Sequence, residues 1–361
     1  MAGRDRAGTA DDDGVTLEEL RLATRNHGMP LEALRHDVTP LGLHYVLIHY
    51  DIPAVDSSTW ALQVDGLVGH PTGLSLADLR QRHTVTRQVT MECAGTGRAQ
   101  LHPRPFSQPW LDEAIGTGEW EGTPAAELLD DLGLGGDATE AVFTGADRGI
   151  EGGLEQAYAR SVSLRELRDT GALLVWGLNG MPLPPQHGAP LRLIVPGWYG
   201  MANVKWLSSI TVTDRPFDGY QQTHAYRFRN EPDEPGEPLS RMAVHSLMVP
   251  PGLAEFPTRR RVAERGTHEL SGRAWSGHGP ITSVEVSTDG GRSWQAAALE
   301  QAADPAAWTR WRAEWRAETP GEHELRCRAT DTAGNRQPDE PIWNVGGYAV
   351  NAVQRVAVTV R

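Results

Sequence analysis

The chain has 361 residues, with 34 Lys and Arg against 47 Asp and Glu and a formal net charge of -13 at pH 7. That length exceeds what one hydrophobic core usually organises and predicts two domains. The acidic balance excludes a nucleic-acid partner, because phosphate binding needs a dense basic surface.

Residues 1–20, opening MAGRDRAGTADDDG, read as a disordered acidic tail. This stretch has no apolar h-region, so no signal peptide is visible. The expected location is cytoplasmic as written, or periplasmic if a signal has been removed. No apolar run approaches the ~18 residues of a membrane span. Gly 39 and Pro 25 make the chain turn-rich, which favours short strands and helices. HYVLIHYDIP and STWALQVDGLV, within 40–66, read as short strands. SLADLRQR reads as a helix capped by Ser75, and RQVTMECAG as a strand entering a tight turn. TPAAELLDDLGL predicts a helix capped by Thr123 and ended by Gly135. VSLRELRD, GALLVWGLNG and PLRLIVPG predict helix, strand and strand, with a hairpin turn at Asn179-Gly180. NVKWLSSITVTD predicts a further strand. Without a strict βαβ rhythm, residues 21–230 read as an α+β domain.

The Pro- and acid-rich stretch NEPDEPGEPLS reads as a linker. Beyond it, residues 231–361 alternate with period two in HELSGRAW, ITSVEVSTDGGRSW, WTRWRAEW, EHELRCRATDTAGN and AVNAVQRVAVTV. Short strands at this spacing predict an immunoglobulin-like β-sandwich.

The chain has no Walker loop, HExxH, CxxC or GxSxG, and no His pair at zinc spacing. The two cysteines differ in setting. Cys327 lies in an alternating strand, where a thiol acts as a small hydrophobe. Cys93 ends a strand and precedes two glycines and Arg98. Glycine permits close backbone approach, and a nearby arginine favours the metal-binding thiolate. On composition alone an inert structural thiol is the favoured reading.

The segment VTMECAGTGRAQLHPRP resembles the Cys-Ala-Gly motif of the sulfite oxidase family. TRNHGMPLEAL resembles that family's arginine-asparagine-histidine loop. WLDEAIGTGEWEGTPAAELL and WGLNGMPLPPQHGAPLRLIVPGWYGMANVKWLSSITV resemble its catalytic domain. AWSGHGPITSVEVSTDGGRSWQ and RATDTAGNRQP resemble its dimerisation domain. The resemblance implies a molybdenum-molybdopterin oxidoreductase performing two-electron oxo transfer, with Cys93 as the protein's ligand to the metal. It also implies cofactor contacts from Arg25, Asn26, His27, Asp147, His187, Arg192, Asn203, Val204 and Lys205. Arg98, Tyr158 and Arg25 would face the substrate. Arginine and lysine suit the pterin phosphate, and polar side chains suit the ring edge.

The substrate class implied is a small oxyanion or an S- or N-oxide. Electrons would pass to a separate partner such as a cytochrome, and a homodimer would form through the C-terminal domain. The family's animal and plant members tend to carry an arginine where this chain has Ala202, and another in the loop where it has His278 and Pro280. With Trp198 and Tyr199 nearby, this predicts a more aromatic, less cationic pocket. Two alternatives remain: a reductase of nitrate or of S- or N-oxides on the same scaffold, and a non-enzymatic binding protein carrying an immunoglobulin-like module.

Overall fold

A computed structural model describes the chain from Gly14 to Arg361. Most of the acidic tail lies outside the described residues. Its last part is a helix, Leu17–Ala23, and not disordered chain. Thr16 caps this helix in a capping box with Glu19, whose buried carboxylate also pairs with Arg104.

The N-terminal half is built on two five-stranded sheets. The first runs in the order Thr72–Ser75, Ala61–Gly66, Leu207–Thr213, Glu140–Glu151, Leu154–Ser163. All its pairs are antiparallel except Ala61–Gly66 with Leu207–Thr213. The second pairs Val85–Glu92 with Ile115–Pro124, then Leu173–Leu178, which also pairs Met181–Pro182 and Arg192–Ile194. Every residue of Leu173–Leu178 is buried, as expected of a near-continuous apolar run. The helices are short: Leu76–Arg80, Ala125–Asp131, Leu164–Thr170 and Tyr220–Thr223 follow the first. Leu128, Leu129 and Leu167 from these helices pack with Leu62, Phe143, Leu174 and Ile210 from the strands. The domain is strand-rich, with helices filling gaps against the sheets.

Several local expectations hold. Ser75 caps Leu76–Arg80 by accepting from the Asp78 N–H. Asn179 and Gly180 turn the hairpin with φ of 54° and 71°, the left-handed pair that a tight two-residue turn requires. Others do not hold. HYVLIHYDIP is not a strand: it follows a 3-10 turn at Leu41–Leu43 and makes one isolated bridge, Val46 to His27. Pro40 and Pro53 bracket it, and the Asn26 side chain, not a neighbouring strand, accepts from the Ile48 N–H at 2.7 Å. The helix expected from Thr123 starts after Pro124 without a side-chain cap, and its last residue is Asp131, short of Gly135. The expected linker folds back, pairing Glu237–Pro238 with Arg227–Phe228.

The C-terminal half is two facing sheets. One holds His245–Met248, Gly266–Trp275, Thr309–Ala317 and Ala298–Glu300, in that order. The other runs Leu253–Ala254, Arg261–Ala263, Gln354–Val360, Gly321–Asp331, Ile281–Ser287, Gln295–Ala296. Alternate residues of Gly321–Asp331 and Gln354–Val360 point inward. They meet Trp311 and Trp315 in a second core. Cys327 sits in that core as a free thiol against the Ser246 carbonyl, and burial pushes its pKa up to about 12. Its inert reading stands.

Candidate active site

The strand Val85–Glu92 ends at Cys93, and the chain then turns through Ala94, Gly95, Thr96 and Gly97. Gly97 has φ 81°, and a side chain on it would strike Val350. The turn is pinned by Cys93 N–H to Ala114 O at 2.9 Å and Gly97 N–H to Leu111 O at 2.7 Å. Cys93 thereby reaches the wall of a cleft that opens to solvent.

One wall is lined by basic residues. Arg192, His187, Lys205 and His44 line it, with Asp147 and Asn203. Arg192 is buried, its guanidinium donating to His187 O at 2.9 Å and Asn203 O at 3.1 Å and lying over the Trp120 ring. It belongs to a strand, but to one buried throughout, so its alternation with apolar residues does not mark an exposed face. Lys205 donates to Leu47 O at 2.7 Å and Gln186 O at 3.2 Å. Asn203 locks its own loop by accepting from Val195 N–H and donating to Tyr199 O. The lining also has an aromatic part: Tyr158 and Tyr226, with His49. His49 pairs with Glu151 at 3.0 Å.

Crowding and burial disturb the charges. Burial and then the neighbouring cations depress His187 to about 2, so it is neutral. Burial depresses His44 to about 4 and Arg192 to about 10. Burial also takes Lys205 down to about 7, with Arg192 adding to the fall and Asp147 opposing it. Asp147 is raised by burial to about 6 despite Lys205. The Cys93 thiol is pushed up by burial, against which Gly95 N–H and Arg98 act only in part. The expected activation of the thiol by Arg98 is therefore outweighed in the protein alone.

Of the residues singled out in the sequence, Cys93, Asp147, Tyr158, His187, Arg192, Asn203 and Lys205 meet at this cleft. The others do not line it. Arg25 is exposed and tied to Tyr50 O and Asp51. The Asn26 side chain is spent on Leu22, Gln108 and Ile48. His27 is exposed beside the Val46 bridge. Val204 is buried behind the wall. Arg98 lies behind the cysteine turn, donating to Gly346 O and Gln108 O at 3.0 Å each. Trp198 and Tyr199 do not supply the aromatic part. Tyr199 is a core residue accepting from Ala243 N–H, and Trp198 donates to Glu166.

His44, Tyr45, Leu47, His49, Met91, Met201 and Tyr226 also line the cleft and were not anticipated. The signal available for His44, Tyr45 and His49 was the repeated His-Tyr pair in LHYVLIHYD, His44-Tyr45 and His49-Tyr50, inside an otherwise apolar run.

Comparison with known proteins agrees with this geometry. Residues 49–221 match the oxidoreductase molybdopterin binding domain, and residues 237–361 match the Mo-co oxidoreductase dimerisation domain. These define an oxidoreductase. Mitochondrial sulfite oxidase of Homo sapiens is 34% identical over 374 residues, covering 97% of this chain and 67% of its own length. An NAD(P)H nitrate reductase of Hordeum vulgare is 32% identical over 357 residues, covering 90% of this chain and 39% of its own length. The fold resembles that of the sulfane dehydrogenase SoxCD from Paracoccus pantotrophus, with a TM-score of 0.79 at 24% identity, over 99% of this chain and 96% of that one. The chain belongs to the sulfite oxidase family of molybdopterin-dependent oxidoreductases, whose cofactor is molybdenum-molybdopterin. The molybdopterin-domain match starts at His49, beyond the Arg25–His27 string.

The residues fit such a group. His44 Nε2, Asp147 Oδ1 and Arg192 Nε are buried without hydrogen-bond partners, and all three residues line the cleft. Buried polar atoms are mostly paired, so three unpaired atoms on residues of one cleft leave hydrogen-bonding capacity for a ligand. The wall's cations also outnumber its single carboxylate, Asp147, which suits an anionic ligand. No helix among the described residues is long and apolar enough to cross a membrane.

Proposed function

We propose that this cleft binds the molybdenum-pterin group with Cys93 as the protein's ligand to the metal, and that the enzyme oxidises a small sulfur oxyanion of the sulfite type. When bound, the group supplies two-electron oxo transfer. The observation that carries the reading is one buried thiol facing a wall of charge-depressed cations with unpartnered polar atoms. Arg192 and Lys205 balance the pterin phosphate, and binding there restores the charge that burial has weakened in the protein alone. His44, held neutral and donating through Nδ1 to Tyr45 O, offers Nε2 as an acceptor at the ring edge, and neutral His187 supplies one donor and one acceptor nitrogen. Asp147 offers an acceptor there.

On the aromatic side, the Tyr158 hydroxyl donates to Met201 O at 2.7 Å, and burial raises its pKa. Tyr158 therefore shapes the pocket and does not give up its proton. His49, steadied by Glu151, and Tyr226 present the polar atoms on that side. Electrons leave to a separate protein acceptor. The C-terminal sandwich is of immunoglobulin type, and two copies of the chain pair through it.

A reductase of nitrate is the second reading, supported by the similarity to the nitrate reductase of Hordeum vulgare. The test is steady-state turnover of the purified holoenzyme in both directions: sulfite with ferricyanide, and nitrate with a reduced viologen dye. Saturable sulfite oxidation exceeding nitrate reduction supports the first reading. Nitrate reduction without sulfite oxidation overturns it.

A further inference from the structure

The cysteine turn is gripped from two sides, and one of the grips comes from the C-terminal half. Glu92, the residue before Cys93, is buried with both carboxylate oxygens taken. Oε1 pairs with His245 Nδ1 at 2.8 Å, and Oε2 accepts from Trp275 Nε1 at 2.9 Å. His245 and Trp275 face each other across paired strands, so one rung of the C-terminal sheet clasps one carboxylate. Burial lowers the His245 pKa, but Glu92 outweighs it and the net shift is upward. The residue after Cys93 is held as well: Ala94 O accepts from Ala349 N–H at 2.8 Å. Five residues on from Cys93, the Arg98 guanidinium donates to Gly346 O and lies 5.1 Å from the Tyr348 ring centre. The 344–348 loop is fixed in turn by Asn344, which bonds both Tyr348 N–H and Tyr348 O.

Three anchors, at Glu92, Ala94 and Arg98, thus tie the turn to segments around 245, 275 and 344–349. The anchors lie at and around the side chain that meets the cleft. A buried ion pair is expensive to desolvate and is a weak source of stability. Its return lies in fixing one geometry, as a supporting layer fixes a metal ligand.

We propose that His245, Trp275 and the 344–349 loop are positioning elements for the Cys93 thiolate, acting through Glu92, Ala94 and Arg98. The C-terminal half is then part of the active site's frame as well as a pairing surface. The proposal rests on the reading of Cys93 as the metal ligand.

The test uses wild type, Trp275→Phe, His245→Asn and Glu92→Gln. Trp275→Phe keeps an aromatic ring, smaller than the indole, and removes the N–H. His245→Asn shortens the reach to Glu92. Glu92→Gln keeps an acceptor for the indole and serves as the conservative variant. The first readout is the thiolate-to-metal absorption of the holoenzyme, normalised to molybdenum content. The second needs no metal: the rate at which iodoacetamide alkylates Cys93 in cofactor-free protein, mapped by peptide mass spectrometry with Cys327 as the internal control. Trp275→Phe and His245→Asn are expected to shift the absorption maximum and to speed Cys93 alkylation several-fold by loosening the turn, with Cys327 unchanged. Glu92→Gln should lie nearer wild type. If one variant does not fold, the other carries both readouts. Wild-type absorption and wild-type Cys93 alkylation in the folded variants would overturn the proposal. A wild type that binds molybdenum with no thiolate absorption would instead overturn the ligand reading itself.

Discussion

Lys205 gives the sharpest electrostatic test of the cleft. Its ammonium donates to two backbone carbonyls, Leu47 O and Gln186 O, yet burial and Arg192 bring its pKa from 10.5 to about 7. An unfolded chain keeps this proton up to the ordinary lysine pKa. Between pH 7 and 10.5 the unfolded state therefore binds more protons, and stability must rise with pH. At ~1.4 kcal/mol per pH unit the whole fall has a ceiling of ~5 kcal/mol. Lys205→Met keeps the stem and removes the titrating group. It also leaves two carbonyls without their donor, which lowers stability by a similar amount at every pH. The informative quantity is therefore the slope. Asp147, His44 and His187 have finished titrating below this range, and Arg192 is common to both proteins. The cofactor-free wild type should gain ~2 kcal/mol over Lys205→Met between pH 7.5 and 9, measured by urea unfolding at each pH. Loading with the anionic cofactor should flatten the difference, because an anion holds the proton on Lys205. Parallel stability curves in the cofactor-free proteins would refute the reasoning.

Arg192→Met should strand His187 O and Asn203 O in a buried wall. At ~1–3 kcal/mol for each unsatisfied group, a loss of ~3 kcal/mol in denaturant unfolding and a fall in pterin content are expected. Gly188→Ala places a methyl group 2.8 Å from Lys205 Cβ at a position with φ 105°. It should cost ~1–3 kcal/mol of stability and lower cofactor retention, measured by melting and pterin fluorescence. Cys327→Ala should cost ~1 kcal/mol, for a small cavity in the second core, and leave the molybdenum-to-protein ratio unchanged by elemental analysis.

Features governed by neighbouring residues were legible in the sequence. The Ser75 cap, the Asn179-Gly180 hairpin and the strand ending at Cys93 each depend on a few adjacent residues, and each formed where expected. The ordered series Asp147, Tyr158, His187, Arg192, Asn203 and Lys205 came to the cleft with Cys93. What was hidden depends on tertiary contact. Apolar alternation around Arg192 could not show that both faces of its strand are covered. HYVLIHYDIP alternates like a strand, but its N–H groups find the Asn26 side chain and isolated partners, so it runs as irregular chain along the cleft. The Arg25-Asn26-His27 string has the residue types of a cofactor loop; Arg25 and Asn26 are tied to Tyr50, Asp51, Leu22 and Gln108, and His27 is exposed but near enough to act on the charge of His44 and His187. Arg98 is five residues from Cys93, yet the C-terminal loop that claims it is some 250 residues away, at Gly346. The burial of Glu92 against His245 depends on a pairing 153 residues away in sequence.

The central claim is that Cys93 holds molybdenum in the cleft. The most direct measurement is elemental molybdenum, pterin and the visible spectrum on wild type and Cys93→Ser, both made in a host that synthesises the cofactor. The account predicts stoichiometric molybdenum in the wild type, and a Cys93→Ser protein that keeps pterin through Arg192 and Lys205 but loses the thiolate-to-metal absorption. A wild type without molybdenum or pterin, or a Cys93→Ser spectrum identical to wild type, would contradict it.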